Sequence, residues 1–105
     1  MLKDKLNIIE LIDTYGILLT ETKMAILKDY YMLDISLVEI AEVRGISRQA
    51  VFDSITKSVE KLRSYEDNLK IISKRKKIRR LLTKCYKEQK LNEKDIKKFL
   101  GVLEK

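Results

Sequence analysis

The chain has 105 residues and a net charge of +7, with no proline and only three glycines, a composition that favours helices and nearly lacks strand and turn signals. It has no histidine and one cysteine, Cys85, which excludes the usual zinc sites and an internal disulfide and fits a reducing cytoplasm. No apolar run is long enough to span a membrane, and acidic residues near the N-terminus argue against a signal peptide. We therefore expect an all-α cytoplasmic protein.

The first two predicted helices cover residues 2–15 and 21–33. Gly16 follows the first helix as a stop signal, and Thr20 suits the N-cap of the second. The apolar face of the first is expected to comprise Leu2, Leu6, Ile9, Ile12 and Tyr15, widened by Ile8 and Leu11, and that of the second Met24, Leu27 and Tyr31, joined by Ile26, Tyr30 and Leu33. These helices and the next two are predicted to enclose one core.

Residues 36–62 are predicted to form a helix-turn-helix because two caps and a glycine turn agree with one another. Ser36, followed three positions later by Glu39, matches a capping box at the start of a short helix. Gly45 suits a helix end that requires positive φ, and Ser47 suits the cap of the next helix. The expected buried face consists of Leu37, Ile40 and Val43 with the small Ala41 in the first helix, and of Val51, Ile55, Val59 and Leu62 in the second.

The C-terminal part is predicted to be helical because no glycine or proline lies between Ile46 and Leu100. The second helix of the helix-turn-helix either runs on to residue 72 or breaks near Ser64 or Asn68, whose side chains compete for backbone hydrogen bonds. Ser73 is the expected cap of a helix over residues 74–89. The apolar seam of this helix would be Ile78, Leu81, Leu82, Cys85 and Tyr86. A last helix would start at Leu91-Asn92 and bury Ile96, Phe99, Leu100 and Leu103.

The charge is divided unevenly along the chain. Residues 1–72 hold 10 Lys or Arg against 12 Asp or Glu, a net −2, whereas residues 73–105 hold 13 against 4, a net +9. We therefore predict a helix-turn-helix domain with a long final helix over residues 1–72. A basic helical extension over residues 73–105 would pack on it or beside it.

The candidate nucleic-acid-binding residues of this extension are Lys74, Arg75, Lys76, Lys77, Arg79, Arg80, Lys84 and Lys87. Six of the seven residues from Lys74 to Arg80 are cationic, and no acid follows until Glu88. A polyanion would relieve this repulsion, and RNA is the preferred partner. An acidic lipid surface remains an alternative, as does an ordinary helix with a solvated charged face that is packed by Leu81 and Tyr86.

The helix-turn-helix could itself read DNA, because the first residues of its second helix can enter the major groove. Arg48 and Gln49 occupy those positions, and their side chains suit guanine and adenine. Asp53 and the net negative charge of this half oppose phosphate binding. The sequence therefore favours reuse of the motif as a scaffold, with DNA reading as the alternative.

Residues 19–62 resemble region 4 of bacterial sigma factors, with Leu19-Thr20 opening the second helix and Gly45-Ile46-Ser47-Arg48 at the turn. The stretch GISRQAVFDSI, preceded by Tyr30-Tyr31 and followed by YEDNL, is similar to the YlxM family of small cytoplasmic proteins, a resemblance that covers about residues 5–72. It implies an accessory of the signal recognition particle, with that particle's RNA and GTPase as partners. The resemblance brings no catalytic residues. Since the chain lacks histidine and a phosphate-binding glycine loop, we expect neither enzyme activity nor a cofactor.

Some apolar residues have more than one expected role. Phe52 lies beside the core stripe, and we expect it to be half exposed. Its expected role is in the core or in a subunit interface. With Tyr65 and Tyr86 it could instead stack on a base or anchor a partner helix. Cys85 is expected to be a small buried hydrophobe. The run Leu62, Tyr65, Leu69 and Ile72 exceeds what a four-helix core can cover, which predicts a symmetric homodimer.

Overall fold

The computed structural model describes residues 2–88 and 93–103, and within them the protein has six α-helices and no strand. The helices are α1 (Leu2–Tyr15), α2 (Glu21–Tyr31), α3 (Leu37–Arg44), α4 (Arg48–Leu69), α5 (Ile71–Glu88) and α6 (Glu93–Leu103), with a short 3₁₀ turn at Gly16–Leu18. The all-α prediction is confirmed. The side chain of Leu2 and the expected Leu91-Asn92 cap lie outside the described part. The chain forms two compact units, a first unit of Met1–Leu69 and a second unit of Lys70–Lys105.

The core of the first unit forms where α4 packs against α1, α2 and α3. Its most completely buried side chains are Tyr15, Ile12, Leu27, Ile40, Leu62 and Val51, and they come from all four helices. Burying an aliphatic or aromatic side chain of this size stabilises the fold by roughly 1.5–3 kcal/mol. The predicted four-helix core is confirmed.

The caps of the helix-turn-helix are those expected from the sequence. Ser36 Oγ accepts a hydrogen bond of 3.1 Å from the Glu39 amide, and Ser47 Oγ accepts one of 3.0 Å from the Ala50 amide. Gly45 has a φ of 67°, the left-handed conformation that a side chain would strain. The Ile46 amide donates to the Ala41 carbonyl at 3.1 Å, so the chain reverses in a hydrogen-bonded turn between α3 and α4.

Three predicted faces are wrong in detail. Helix α2 ends at Tyr31 and not at residue 33, so Leu33 lies beyond it and is exposed. Leu6 of α1 is exposed, whereas Ile8 and Leu11 are buried, because α1 packs on both α2 and α4 and so buries a wide stripe. The side chain of Val43 is 85% exposed. With 3.6 residues per turn, the buried face of α3 is centred between Ile40 and Ala41, which places Val43 on its flank.

Of the two alternatives for the boundary between α4 and α5, a break near Asn68 is confirmed and a helix that continues to residue 72 is wrong. Helix α4 ends at Leu69, and Lys70 has a φ of 56°, in the left-handed region. The break therefore lies just beyond Asn68, whose side-chain amide donates to the Ser64 carbonyl at 2.9 Å. Ser73 is not a cap, because α5 starts at Ile71 and its backbone bonding begins with the Lys74 amide on the Lys70 carbonyl.

In the second unit α5 and α6 pack against each other, and the apolar faces are less buried than predicted. Asp95 is the buried residue of α6, whereas Ile96, Leu100 and Leu103 are exposed. On α5, Leu82 and Tyr86 are exposed although both were expected in a buried seam. Two packed helices bury only the narrow strip between them, which explains both differences.

Candidate nucleic-acid interface

The start of α4 presents the residues that a helix-turn-helix would use to read DNA. Arg48 and Gln49 are both exposed in its first turn, and Gln49 lies on the side opposite the buried Val51. Gln49 Nε2, however, donates a 3.0 Å hydrogen bond to Asp53 Oδ1 one turn further on. To bind an adenine edge in bidentate fashion, the Gln49 amide would have to leave this carboxylate.

The charge of the first unit adds to this difficulty. Its 69 residues contain 9 Lys or Arg and 12 Asp or Glu, a net −3. Contacts with phosphates supply nearly all non-specific affinity for nucleic acid, and a surface with excess carboxylates weakens them. The exposed start of α4 therefore has the geometry of a DNA reader without the surrounding charge.

The second unit carries the opposite charge, and most of it lies on α5. Its sequence holds 14 Lys or Arg and 4 Asp or Glu, a net +10, and α5 alone contributes eight cations against one acid, Glu88. All eight candidate residues lie on this helix, and all except the half-buried Lys74 are exposed. Within the described residues, Lys77, Arg79, Lys84 and Lys87 form no ion pair, so their charges are available to a polyanion.

Helical periodicity divides all of these cations except the half-buried Lys74 between two faces of α5. The first, the cationic face, comprises Lys76, Lys77, Arg80, Lys84 and Lys87. The second, the mixed face, comprises Arg75, Ile78, Arg79, Leu82 and Tyr86, with Thr83 at its edge. A surface groove of about 300 Å³ runs along the mixed face and is lined by Arg75, Ile78, Arg79, Leu82 and Thr83. Sequence reasoning found the charges but missed this groove, because it assigned the apolar residues to a buried seam.

Cys85 lies beside Asp95 where α5 and α6 pack, and is partly buried. Desolvation raises the pKa of the Cys85 thiol, and the charge of Asp95, a hydrogen bond with its side chain and the charge of Glu88 raise it further. Lys84 lowers this pKa, but by less than the other effects raise it. The thiol is therefore a poor nucleophile near neutral pH, in keeping with the structural role expected from the sequence.

The first unit has an apolar groove of its own, of about 310 Å³, between Tyr30, Tyr31 and Phe52. The two tyrosine rings meet edge to face with centroids 5.0 Å apart, and Phe52 is 52% exposed, as expected from its place beside the stripe. Burial and the neighbouring Tyr30 raise the pKa of Tyr31, while Arg63, which also lines the groove, opposes the rise. Exposed aromatic side chains beside an arginine are typical of protein contacts.

A short capped helix, a left-handed glycine turn and a second helix with an exposed first turn define a helix-turn-helix protein. The chain belongs to the UPF0122 family of helix-turn-helix proteins like YlxM and p13, which it matches over residues 2–101. The match therefore includes α5 and most of α6, beyond the residues that carry the resemblance in sequence.

Relatives in several bacteria are similar over most of their length. A UPF0122 protein of Clostridium perfringens is 41% identical over 94% of this chain and 91% of its own. Two others, from Symbiobacterium thermophilum and Fusobacterium nucleatum, are 42% and 39% identical over 77% and 78% of this chain, and over 76% and 80% of their own. The family resemblance inferred from the sequence is confirmed.

Two further features bear on function. In residues 2–88 and 93–103 none of the helices is apolar over a length that would cross a bilayer. The same residues contain no cluster of His, Cys, Asp and Glu that could hold a metal ion.

Proposed function

We propose that this protein is a non-enzymatic cytoplasmic accessory of the signal recognition particle, which binds the particle's RNA through α5 and its GTPase through the first unit. The pathway and both partners come from the resemblance to YlxM. The observation that carries the RNA contact is the separation of charge, with a net −3 on the first unit and +10 on the second.

The charge on α5 is dense enough to select a polyanion. Its eight cations lie within four turns of helix, so like charges repel one another along both exposed faces. A phosphate bound between these cations relieves the repulsion. Binding also releases the counterions condensed on the nucleic acid, and because added salt opposes this release, affinity falls steeply with salt concentration. An RNA helix or loop offers closely spaced phosphates that a helical row of Lys and Arg can follow.

A sequence-specific DNA-binding regulator is the second candidate function. Its support is the exposed Arg48 at the start of α4, where a guanidinium could bind guanine in the major groove. The bond between Gln49 and Asp53 and the net negative first unit make this the weaker candidate.

Titration of three variants against structured RNA and random duplex DNA at two salt concentrations separates the candidates. The first variant changes Lys76, Lys77, Arg79 and Arg80 to Gln; the second is Arg48→Ala. The third is a matched control that removes the same number of exposed charges from the first unit, with Gln at Lys23, Lys28, Lys57 and Lys61.

An RNA-binding α5 predicts that the first variant alone loses affinity for RNA. The salt slope should flatten by about 0.7 per lost phosphate contact on a single strand and by about 0.9 on a duplex. Tight, sequence-selective binding to DNA that survives the α5 substitutions and disappears with Arg48→Ala would contradict the RNA function and establish the regulator. Pull-down from cell extract, followed by sequencing of bound RNA, then tests whether the RNA is that of the signal recognition particle.

A further inference from the structure

The mixed face of α5 has a composition that phosphate binding does not require. Leu82 is 56% exposed and Tyr86 is 84% exposed, one helical turn apart, in the most positively charged part of the chain. A surface that only had to bind phosphates would keep Lys or Arg at these positions, as the cationic face does. Exposed apolar side chains that share a helix face with two guanidinium groups indicate a ligand that is both anionic and flat.

We infer that the mixed face binds unpaired bases of RNA, so that α5 distinguishes single-stranded or looped RNA from a perfect duplex. This rests on the proposed function, in which α5 is the RNA-binding element. Tyr86 provides an exposed aromatic ring on which a base stacks, and Ile78 and Leu82 form the floor of the 300 Å³ groove against which a second base packs. Arg75 and Arg79, which also line the groove, bind the phosphates that flank these bases.

The spacing on the helix suits a continuous strand. Side chains four positions apart on a helix lie roughly 5–6 Å from one another at Cβ, so Leu82 and Tyr86 can contact neighbouring nucleotides. Unpaired bases are the parts of RNA that proteins recognise by stacking, because bases inside a duplex are covered by their neighbours. The cationic face, on the other side of α5, binds phosphates in either kind of RNA.

An anionic bilayer is the competing ligand, and the arrangement of residues disfavours it. Helices that lie in a membrane interface have a broad, continuous apolar face opposite their charges. On α5 the exposed large apolar residues are Ile71, Leu82 and Tyr86, and Arg75 and Arg79 lie among them on the same face. A guanidinium pair within the apolar stripe is poorly placed for contact with acyl chains and well placed for phosphates beside a base.

The test uses the full chain and two RNAs that differ only in an internal loop, one fully paired and one with unpaired bases at its centre. The test variant is Leu82→Ser with Tyr86→Ser, and Tyr86→Ser alone serves as a second variant whose exposed site cannot affect folding. The matched control is Lys84→Gln with Lys87→Gln on the cationic face. Thermal melting checks that each variant is folded.

The wild type should bind the looped RNA more tightly than the duplex. The double Ser variant should lose about tenfold or more in affinity for the looped RNA, with its affinity for the duplex and its salt slope unchanged, because stacking releases no counterions. The Lys84 and Lys87 control should weaken both complexes equally and flatten the salt slope.

Three outcomes would overturn the inference. If the folded Ser variants bind looped RNA as tightly as the wild type does, the inference is wrong although α5 still binds RNA. If the wild type binds neither RNA, the proposed function fails as well. If the Ser substitutions leave RNA binding intact but abolish binding to vesicles of anionic phospholipid, the mixed face is a lipid-binding surface.

Discussion

The Tyr15 hydroxyl donates a hydrogen bond of 2.5 Å to Glu66 Oε1 and so joins the end of α1 to the last part of α4, 51 positions away. The Tyr15 side chain is almost completely buried, and its ring lies 6.0 Å from that of Tyr65. The YEDNL stretch that supports the family resemblance therefore has a structural role, because its first two residues fix α4 against α1.

Replacement of Tyr15 by Phe should lower the free energy of unfolding by about 1.5–3 kcal/mol, since hydrogen bonds to charged groups are worth about that much. Glu66→Gln should cost less, because the amide oxygen can still accept the bond. Tyr65→Phe is the control, since it keeps the ring beside Tyr15 and should stay within about 0.5 kcal/mol of wild type. Urea denaturation measures all three, and a Tyr15→Phe value as small as that of the control would show that the bond contributes nothing.

The helix-turn-helix makes its own prediction about stability. Ile40→Ala and Val51→Ala should each cost on the order of 1–4 kcal/mol, because both side chains are buried where α3 and α4 meet. Gly45→Val should also destabilise through its left-handed φ, although its Cβ would meet no neighbouring atom. Val43→Ala is the control on the same helix, and its exposed side chain predicts almost no change. Equal stability of all four variants in chemical denaturation would contradict the arrangement.

Ser58 gives a prediction in the opposite direction. It is buried in α4, and its hydroxyl has no hydrogen-bond partner among the described residues. Burial of an unpaired hydroxyl costs about 1–3 kcal/mol, and Ala is also the better helix former. Ser58→Ala should therefore raise the melting temperature. The control for helix propensity is Ser64→Ala, where the side chain is exposed and only a long 3.5 Å bond from the Asn68 amide is lost. A lower melting temperature for Ser58→Ala would contradict this prediction.

The part of the fold that the sequence predicts best is the part fixed by local chemistry. Ser36, Gly45 and Ser47 determine caps and a turn within a few residues of themselves, so their roles could be predicted from residue type and spacing. A break near Asn68 was one of two alternatives, but the left-handed conformation at Lys70 could not be predicted, because lysine has no preference for that region. The bond from Tyr15 to Glu66 was also hidden, since nothing in either segment indicates its distant partner.

The candidate site shows the same division. The eight cations of α5 can be counted in the sequence, but whether Leu82 and Tyr86 are buried depends on the width of the contact between α5 and α6. The periodicity of an amphipathic helix shows that these residues share a face and not how much of that face a neighbour covers. The mixed face therefore became visible only in the folded protein.

The surface available for the predicted homodimer is smaller than the run of four apolar residues in the sequence indicates. Of the run first proposed to pair between chains, Leu62 and Ile72 are buried and Leu69 is 47% exposed. We expect a symmetric dimer in sedimentation at micromolar concentration that Leu69→Glu dissociates. Leu100→Glu tests the exposed face of α6 as the alternative contact. A monomeric wild type, unaffected by either substitution, would contradict the dimer.

The rate at which the Cys85 thiol is alkylated should depend on pH, because the residues around it raise its pKa. Desolvation, Asp95 and Glu88 raise the pKa of the thiol in the folded protein, so fewer thiolates exist near pH 8 than in the unfolded chain, and alkylation by iodoacetamide should be slower when the protein is folded. Because the folded pKa is raised, the thiol's contribution to stability is complete below the unfolded pKa and is lost as pH rises through the folded one.

Removal of one negative and one positive charge near Cys85 tests the causes of the shift in its pKa. Glu88→Gln should move the midpoint of the alkylation profile to lower pH, and Lys84→Gln should move it to higher pH, because the first removes a charge that raises the pKa and the second a charge that lowers it. Both residues are exposed, so neither change should disturb the packing of α5 on α6. Identical profiles for the two variants, or a folded protein that reacts as fast as its urea-unfolded form, would show that the thiol is not held in the environment described.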